Sequence, residues 1–215
     1  MDPKDIVRLG YDRISRAYRG DAIEHDNPEH RRYAAWIGEL TALLPAGGRV
    51  LDLGCGNGVP VDRLLVDAGY AVHGVDISPV QIARAREVVP GAHYTCADMT
   101  TLDWPEATFD AIVCLYALIH VPLDEQPALL DSVARWLRPG GLLLVTVGHR
   151  AWTGTEDGWL VPGATMYWSH ADADTYLGWF AERGLDVRWS RFVSEGDGGH
   201  ILVLAARTPG AAKPQ

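Results

Sequence analysis

The chain has 215 residues, a length that suits one globular domain with its own apolar core. Hydrophobic residues make up 47% and charged residues 22%, which excludes a disordered or fibrous chain. Acidic residues outnumber basic ones by 28 to 19, a net charge of −9, and no run of Lys and Arg offsets that field; nucleic acid and anionic membrane surfaces are set aside as partners.

In chain order, Ile6, Leu9, Arg13, Ile14 and Ala17 share one helical face, and Tyr33, Trp36, Ile37, Leu40 and Leu43 share another. Pro28 suits the start of the second helix and Pro45 stops it. Arg49 to Leu53 reads as a buried strand feeding a glycine turn, followed by a helix from Pro60 to Ala68 that ends at Gly69. A βαβ rhythm follows: strand Ala71 to Val75, helix Pro79 to Val89 with Ser78 as its cap, and a short strand ending near Cys96. It continues with strand Phe109 to Leu115, helix Leu123 to Leu137, the Pro139-Gly140-Gly141 turn and strand Leu142 to Val147.

The stretch from Gly148 to Trp168 shows little periodicity and reads as a long functional loop, rich in Trp, Gly and Thr. Ser169 and Asp172 make a capping-box-like start for a helix ending at Gly184. The last two strands, near Asp186 to Val193 and His200 to Ala206, are joined by a turn at Glu195 to Gly199 and should pair antiparallel. Cys55, Cys96 and Cys114 are odd in number and form no CxxC pair, so they read as reduced thiols. The charged opening Met1 to Asp5 and the lack of any apolar stretch of membrane-span length give a cytoplasmic expectation.

The strongest motif is Val50-Leu51-Asp52-Leu53-Gly54-Cys55-Gly56-Asn57-Gly58, in which alternate glycines let a ligand lie against main-chain atoms at a helix start. Asp76 ends the next strand 20 residues after Gly56, where a carboxylate can accept ribose hydroxyls. Asp98 and Met99 close the third strand, and Leu137-Arg138-Pro139-Gly140-Gly141 precedes the fifth. From Arg49 to Val147 this ordered set resembles the class I, Rossmann-like S-adenosylmethionine-dependent methyltransferases of small-molecule type. The resemblance implies that Asp52, Gly54, Cys55, Gly56, Asn57, Gly58, Asp76, Ile77, Asp98, Met99, Leu115 and Tyr11 meet S-adenosylmethionine, with S-adenosylhomocysteine as product. In that family the acidic residue at Asp98 faces the adenine amino group, and the residue after it packs on the ring.

The implied fold is α/β: a Rossmann-like, doubly wound, mostly parallel seven-stranded sheet with an antiparallel last strand. Residues 1–208 form the domain, with 1–45 as a helical cap and 46–208 as the core, and 209–215 form a flexible tail. A hydroxyl, thiol or protonated amine acceptor needs a base, for which His120 and His149, each just past a strand end, are candidates, with His170 and Tyr18 beside them. Tyr11 and Tyr18, seven apart, share a face of the first helix, and in related enzymes such a helix lies over the cofactor. No spacing supports a metal, although a site from His170 and His200 stays conceivable. Trp152, Trp159, Tyr167 and Trp168 suggest an aromatic wall for a flat or apolar acceptor. The expected reaction is methyl transfer to O or N, and less readily C, of a small molecule, as in natural-product tailoring. The alternatives are a dinucleotide-dependent oxidoreductase and a non-catalytic regulator of the same fold.

Overall fold

The computed structural model describes residues 1–24 and 26–209; of the expected tail, 210–215 lie outside them. Helix α1 (Pro3–Tyr18) starts where the Asp2 side chain accepts from Lys4 N and Pro3 opens the first turn. Its buried face is Val7, Gly10, Ile14 and Ser15, whereas Leu9 of the expected stripe is exposed. The helix is turned because it packs on a hairpin rather than on the main sheet, and a Cβ on Gly10 would sit 2.7 Å from the Thr165 carbonyl oxygen. Helix α2 (Pro28–Thr41) buries Tyr33, Trp36, Ile37 and Leu40 as its pattern predicts, while Leu43 lies past the helix end in solvent. Of the expected N-terminal cap, α1 covers most of the cleft; α2 lends it Tyr33 and otherwise belongs to the core layer against the sheet.

Strands and helices then alternate: β1 (Arg49–Leu53), α3 (Val61–Asp67), β2 (Ala71–Asp76), α4 (Pro79–Val88), β3 (His93–Cys96) and β4 (Phe109–Cys114). They are followed by α5 (Gln126–Trp136), β5 (Leu137–Gly148), β6 (Trp152–Asp157), β7 (Thr165–His170), α6 (Ala173–Glu182), β8 (Leu185–Glu195) and β9 (Gly198–Arg207). Seven strands form one sheet in the order β3-β2-β1-β4-β5-β9-β8, parallel except for β9, which runs antiparallel to both neighbours. This is the expected Rossmann-like sheet.

Alternation along β4 shows how the sheet is buried on both faces. Phe109, Ile112 and Cys114 pack with α5 and α6, and Ala111 and Val113 pack with α2 and α3. The strand order reverses between β1 and β4, so the crevice at their carboxyl ends is the place where such sheets take ligands. Among the described residues no helix is long and apolar enough to cross a membrane.

Two expectations require correction. The stretch after β5 is not a loop: β6 and β7 form an antiparallel hairpin from Trp152↔His170 to Asp157↔Thr165. Thr and aromatic residues favour those strands, but Gly154, Glu156 and Asp157 on the exposed β6 hide the alternation. Ser169 does not cap α6. It lies in β7, where its hydroxyl accepts from Leu123 N and meets Thr153 Oγ1, and Asp172 alone caps by accepting from Thr175 N.

Candidate active site

The glycine turn after β1 is folded over the end of β2: Gly54 N and Cys55 N both donate to the Val75 carbonyl, at 2.7 and 3.0 Å. Gly54 has φ +81, and a Cβ there would overlap the Ala117 Cβ, so only glycine fits. Gly56 has φ +56, and a Cβ there would meet nothing nearer than the Gln81 amide at 4.0 Å, so its outer face is open to the cleft. Gly56 N and Ser78 N donate to the two oxygens of Asp76, at 2.9 and 2.8 Å, fixing that carboxylate at the cleft wall. Burial pushes Asp76 up to about 6.

Two adjoining cavities line this crevice. The larger, about 670 Å³ and partly open to solvent, brings Lys4, Tyr11 and Tyr18 of α1 to Gly54, Gly56, Asp76, Ile77, Asp98, Met99, Leu115, Tyr116 and His120. The smaller is lined by Asp52, Cys55, Asn57, Tyr18, Arg19 and Tyr33. Arg19 donates to Tyr33 Oη at 2.8 Å, pairs with Glu29 at 3.2 Å and lies over the rings of Tyr18 and Tyr33. Gly58 sits behind the turn, with Tyr94 and Asp62 against it.

Charge in the cleft is tightly managed. Asp98 Oδ1 accepts from Thr100 N and Oγ1, and its Oδ2 accepts from Lys4 Nζ at 2.7 Å. Burial works against ionisation, yet these bonds hold Asp98 below its ordinary value. Lys4 Nζ also donates to Thr100 Oγ1 and Glu125, so α1 is latched where Asp98 faces the cavity. Asp52 and Asp62 are 2% and 0% exposed and face each other. Burial first, and then mutual charge, raises Asp52 far above its ordinary range, and burial takes Asp62 to about 7. Both Asp62 oxygens and the Tyr94 hydroxyl that faces them lack an aligned hydrogen bond among the described residues.

Of the four residues expected to do chemistry, His120 and Tyr18 reach the cavity and His149 and His170 do not. His149 Nδ1 donates to the Gly199 carbonyl, with its ring edge against Phe192. His170 ends β7 instead of starting α6, and its Nδ1 donates to the Arg150 carbonyl. His200 is taken by Glu195, at 3.0 Å, and no metal-holding group of three His, Cys, Asp or Glu occurs among the described residues. His120 Nδ1 lies 2.7 Å from the Tyr167 carbonyl oxygen and its Nε2 lies 3.0 Å from Tyr11 Oη. Burial pushes it down to about 4, against the Tyr167 hydrogen bond, so the ring is neutral near pH 7. Of the expected aromatic wall, Trp152, Trp159, Tyr167 and Trp168, no member lines either cavity. Trp159 stands edge-on to Tyr11 and Trp168, and Trp152 is 46% exposed on the far rim. Sequence reading missed Lys4, Arg19, Asp62, Gln81 and Tyr116, none of which stands in a motif.

A glycine turn, a backbone-fixed carboxylate at the end of β2 and an Asp-Met pair after β3 meet in one crevice at the carboxyl edge of a Rossmann-like sheet. Residues 50–141 match the family described as methyltransferase domain. The chain is 38% identical over 112 residues to the 27-O-demethylrifamycin SV methyltransferase of Amycolatopsis mediterranei, covering 48% of itself and 40% of that protein. It therefore spans less than half of that relative's length. Among solved structures, magnesium protoporphyrin IX methyltransferase from Synechocystis PCC 6803 with bound S-adenosylmethionine superposes with TM-score 0.71 at 22% identity, over 97% of this chain and 98% of that one. The [4+2]-cyclase SpnF superposes with TM-score 0.73, also at 22% identity, over 94% and 95%, so the fold by itself does not dictate the chemistry. Residues 50–141 thus match a methyltransferase domain, and the chain shares its fold with solved S-adenosylmethionine-dependent methyltransferases.

Proposed function

We propose that the protein transfers the methyl group of S-adenosylmethionine to a small acceptor in the cytoplasm, with no nucleic acid or membrane partner. The observation that carries this is the convergence, on one cavity, of the glycine turn, Asp76, Asp98-Met99 and a buried neutral histidine. The open face at Gly56 and the fixed Asp76 oxygens fit an adenosine laid along β2, with the methionine end in the smaller cavity beside Asp52, Asn57 and Arg19. Asp76 takes the ribose, Asp98 the adenine amino group, and Ile77, Met99 and Leu115 pack on the rings. When bound, the cofactor supplies a methyl group on a good leaving sulfur.

The chain's own residues then position and desolvate. α1 roofs the cleft through Val7, Tyr11 and Tyr18, and its Lys4 latch keeps water out at the adenine end. His120, neutral near pH 7, is the base for an acceptor that must lose a proton. The rings of Tyr11 and Tyr18 on the cavity wall suit a flat or apolar acceptor of the tailoring type.

Isothermal titration with S-adenosylhomocysteine and with NAD tests the reading. Micromolar binding of the former, much weakened by Asp76→Ala, and none of the latter is expected; binding of NAD alone would replace methyl transfer with dinucleotide chemistry.

A further inference from the structure

Tyr11 and His120 form a hydrogen-bonded pair whose direction is fixed by its far end. The Tyr167 carbonyl oxygen can only accept, so the neutral His120 ring carries its proton on Nδ1, 2.7 Å away. Nε2 is then a bare lone pair, and the Tyr11 hydroxyl, 3.0 Å from it, must be the donor. With its proton committed inward, the Tyr11 oxygen offers only lone pairs to the cavity that both side chains line. An acceptor cannot reach His120 Nε2 except through Tyr11.

We propose that Tyr11 is a catalytic residue that takes the acceptor's proton while passing its own to His120, and that the acceptor is a neutral phenol or enol. The inference rests on the methyltransferase reading above. In the balanced step the acceptor oxygen bonds to the methyl carbon, and the sulfur–carbon bond breaks with its electron pair left on sulfur. The hydroxyl proton moves to Tyr11 Oη, and the Tyr11 proton moves to His120 Nε2. The products are the methyl ether, a neutral tyrosine and an imidazolium that returns its proton to water when the cleft opens.

Four features of the cleft select this acceptor class. A buried histidine titrating near 4 is a weak base. It suffices for an oxygen, which becomes strongly acidic as it is methylated, but not for an aliphatic amine, whose ammonium keeps its proton to about pH 10. Burial holds Tyr11 well above its ordinary value, which bars a free tyrosinate and demands that the two protons move together. The cations lining the two cavities, Lys4 and Arg19, are already paired, with Asp98 and Glu125 and with Glu29, so among the described residues none is left for a phosphate or carboxylate on the acceptor. Tyr11 and Tyr18, edge to face at 5.3 Å by ring centroid, give the cavity an aromatic lining beside the hydroxyl, with Trp159 packed behind them.

The test pairs Tyr11→Phe with His120→Gln, which keeps a polar atom near the Nε2 position but cannot carry a proton. Each is expected to lower kcat on phenols about 100-fold, and the double variant no further, because the two act as a unit. S-adenosylhomocysteine affinity should fall far less than kcat, and the native enzyme should prefer a phenol to the matching benzylamine. Nitrogen-15 NMR reads the pair without any acceptor: His120 should show a protonated Nδ1 and a bare Nε2 from pH 8 to 5, and the Nε2 signal should shift in Tyr11→Phe. A protonated Nε2, native kcat in Tyr11→Phe, multiplicative losses in the double variant or a preference for the amine would each overturn the relay. Failure of the native protein to bind S-adenosylhomocysteine would instead remove the underlying methyltransferase reading.

Discussion

Arg84 on α4, 7% exposed, offers the sharpest test of how α1 is held over the cleft. Its guanidinium donates to the Ser15 and Arg19 carbonyls at 2.6 and 2.8 Å, to Ser15 Oγ at 2.6 Å, and to Asp21 through two nitrogens. It thus closes the carboxyl end of α1, where helix carbonyls lack partners. Arg84→Met keeps most of the aliphatic stem and removes these donors. Asp21, on the surface, rehydrates, Ser15 Oγ keeps Gln81 and the Ser15 carbonyl keeps Arg19 N, but the Arg19 carbonyl loses its charged donor. At roughly 1–3 kcal/mol for the Arg19 carbonyl and about 1 kcal/mol for the bond lost at Ser15, the docking of α1 weakens by about 2–4 kcal/mol. That is about 30- to 1,000-fold in the open-to-closed ratio. The loss should stay local, because Val7 and Ile14 of α1 pack with Ala164 and Met166 in a cluster separate from the two that flank the sheet. Hydrogen exchange is expected to accelerate in α1 and not in β4 or β5, with S-adenosylhomocysteine affinity falling at least about tenfold. Equal acceleration in the sheet, or an unchanged α1, would refute the claim that Arg84 governs this docking.

Three further outcomes are expected. Gly54→Ala meets both the strained φ of +81 and the Ala117 Cβ, so thermal denaturation should show a lower Tm, and titration no cofactor binding, even if the variant folds. His120 titrates near 4 when folded and near 6.5 when unfolded, so its stabilising contribution is complete above pH 6.5 and is lost as pH falls toward 4. The ceiling is about 3 kcal/mol, and urea midpoints should fall less steeply over that window in His120→Gln. Asp62 has the opposite sign: raised to about 7, it favours folding at low pH and loses that contribution as pH rises through 7, so Asp62→Asn should gain Tm over the native chain at pH 8 and gain less at pH 5.

The sheet was legible because each strand carries its own signal. Arg49–Leu53 and Phe109–Cys114 are short, mostly apolar runs broken inside only by Asp52 and Asp110, and glycine, proline and Ser78 punctuate the helices between them. The hairpin after β5 was not, because one of its strands is exposed on most of its length and carries Gly154, Glu156 and Asp157 where alternation would have shown. The buried stripe of α1 was misplaced for a related reason. Its apolar residues face a hairpin and a cavity, so Tyr11, Tyr18 and Gly10 matter more than Leu9.

The residues expected to hold the cofactor stand out because they are local: Gly54 to Gly58 is one turn, and Asp76 and Asp98 lie at the ends of consecutive strands. The groups that govern them lie far off in sequence. Lys4 meets Asp98 across 94 positions, Tyr11 meets His120 across 109, and Arg84 meets Ser15 across 69. All three pairs join α1 to the carboxyl edge of the sheet or to α4, and each is a single contact that leaves no periodic trace. His120 shows the consequence. As a lone histidine after a strand it was equivalent to His149 at the end of the next, and only the third dimension separates them, by giving one a tyrosine at a cavity and the other a backbone carbonyl at the rim. Since a methyltransferase and a cyclase share this fold, the chemistry must be decided at such pairs. Replacing His149 by Ala should therefore leave S-adenosylhomocysteine binding and acceptor turnover at native levels, and a loss of turnover there would move the base from the centre of the cleft to its edge.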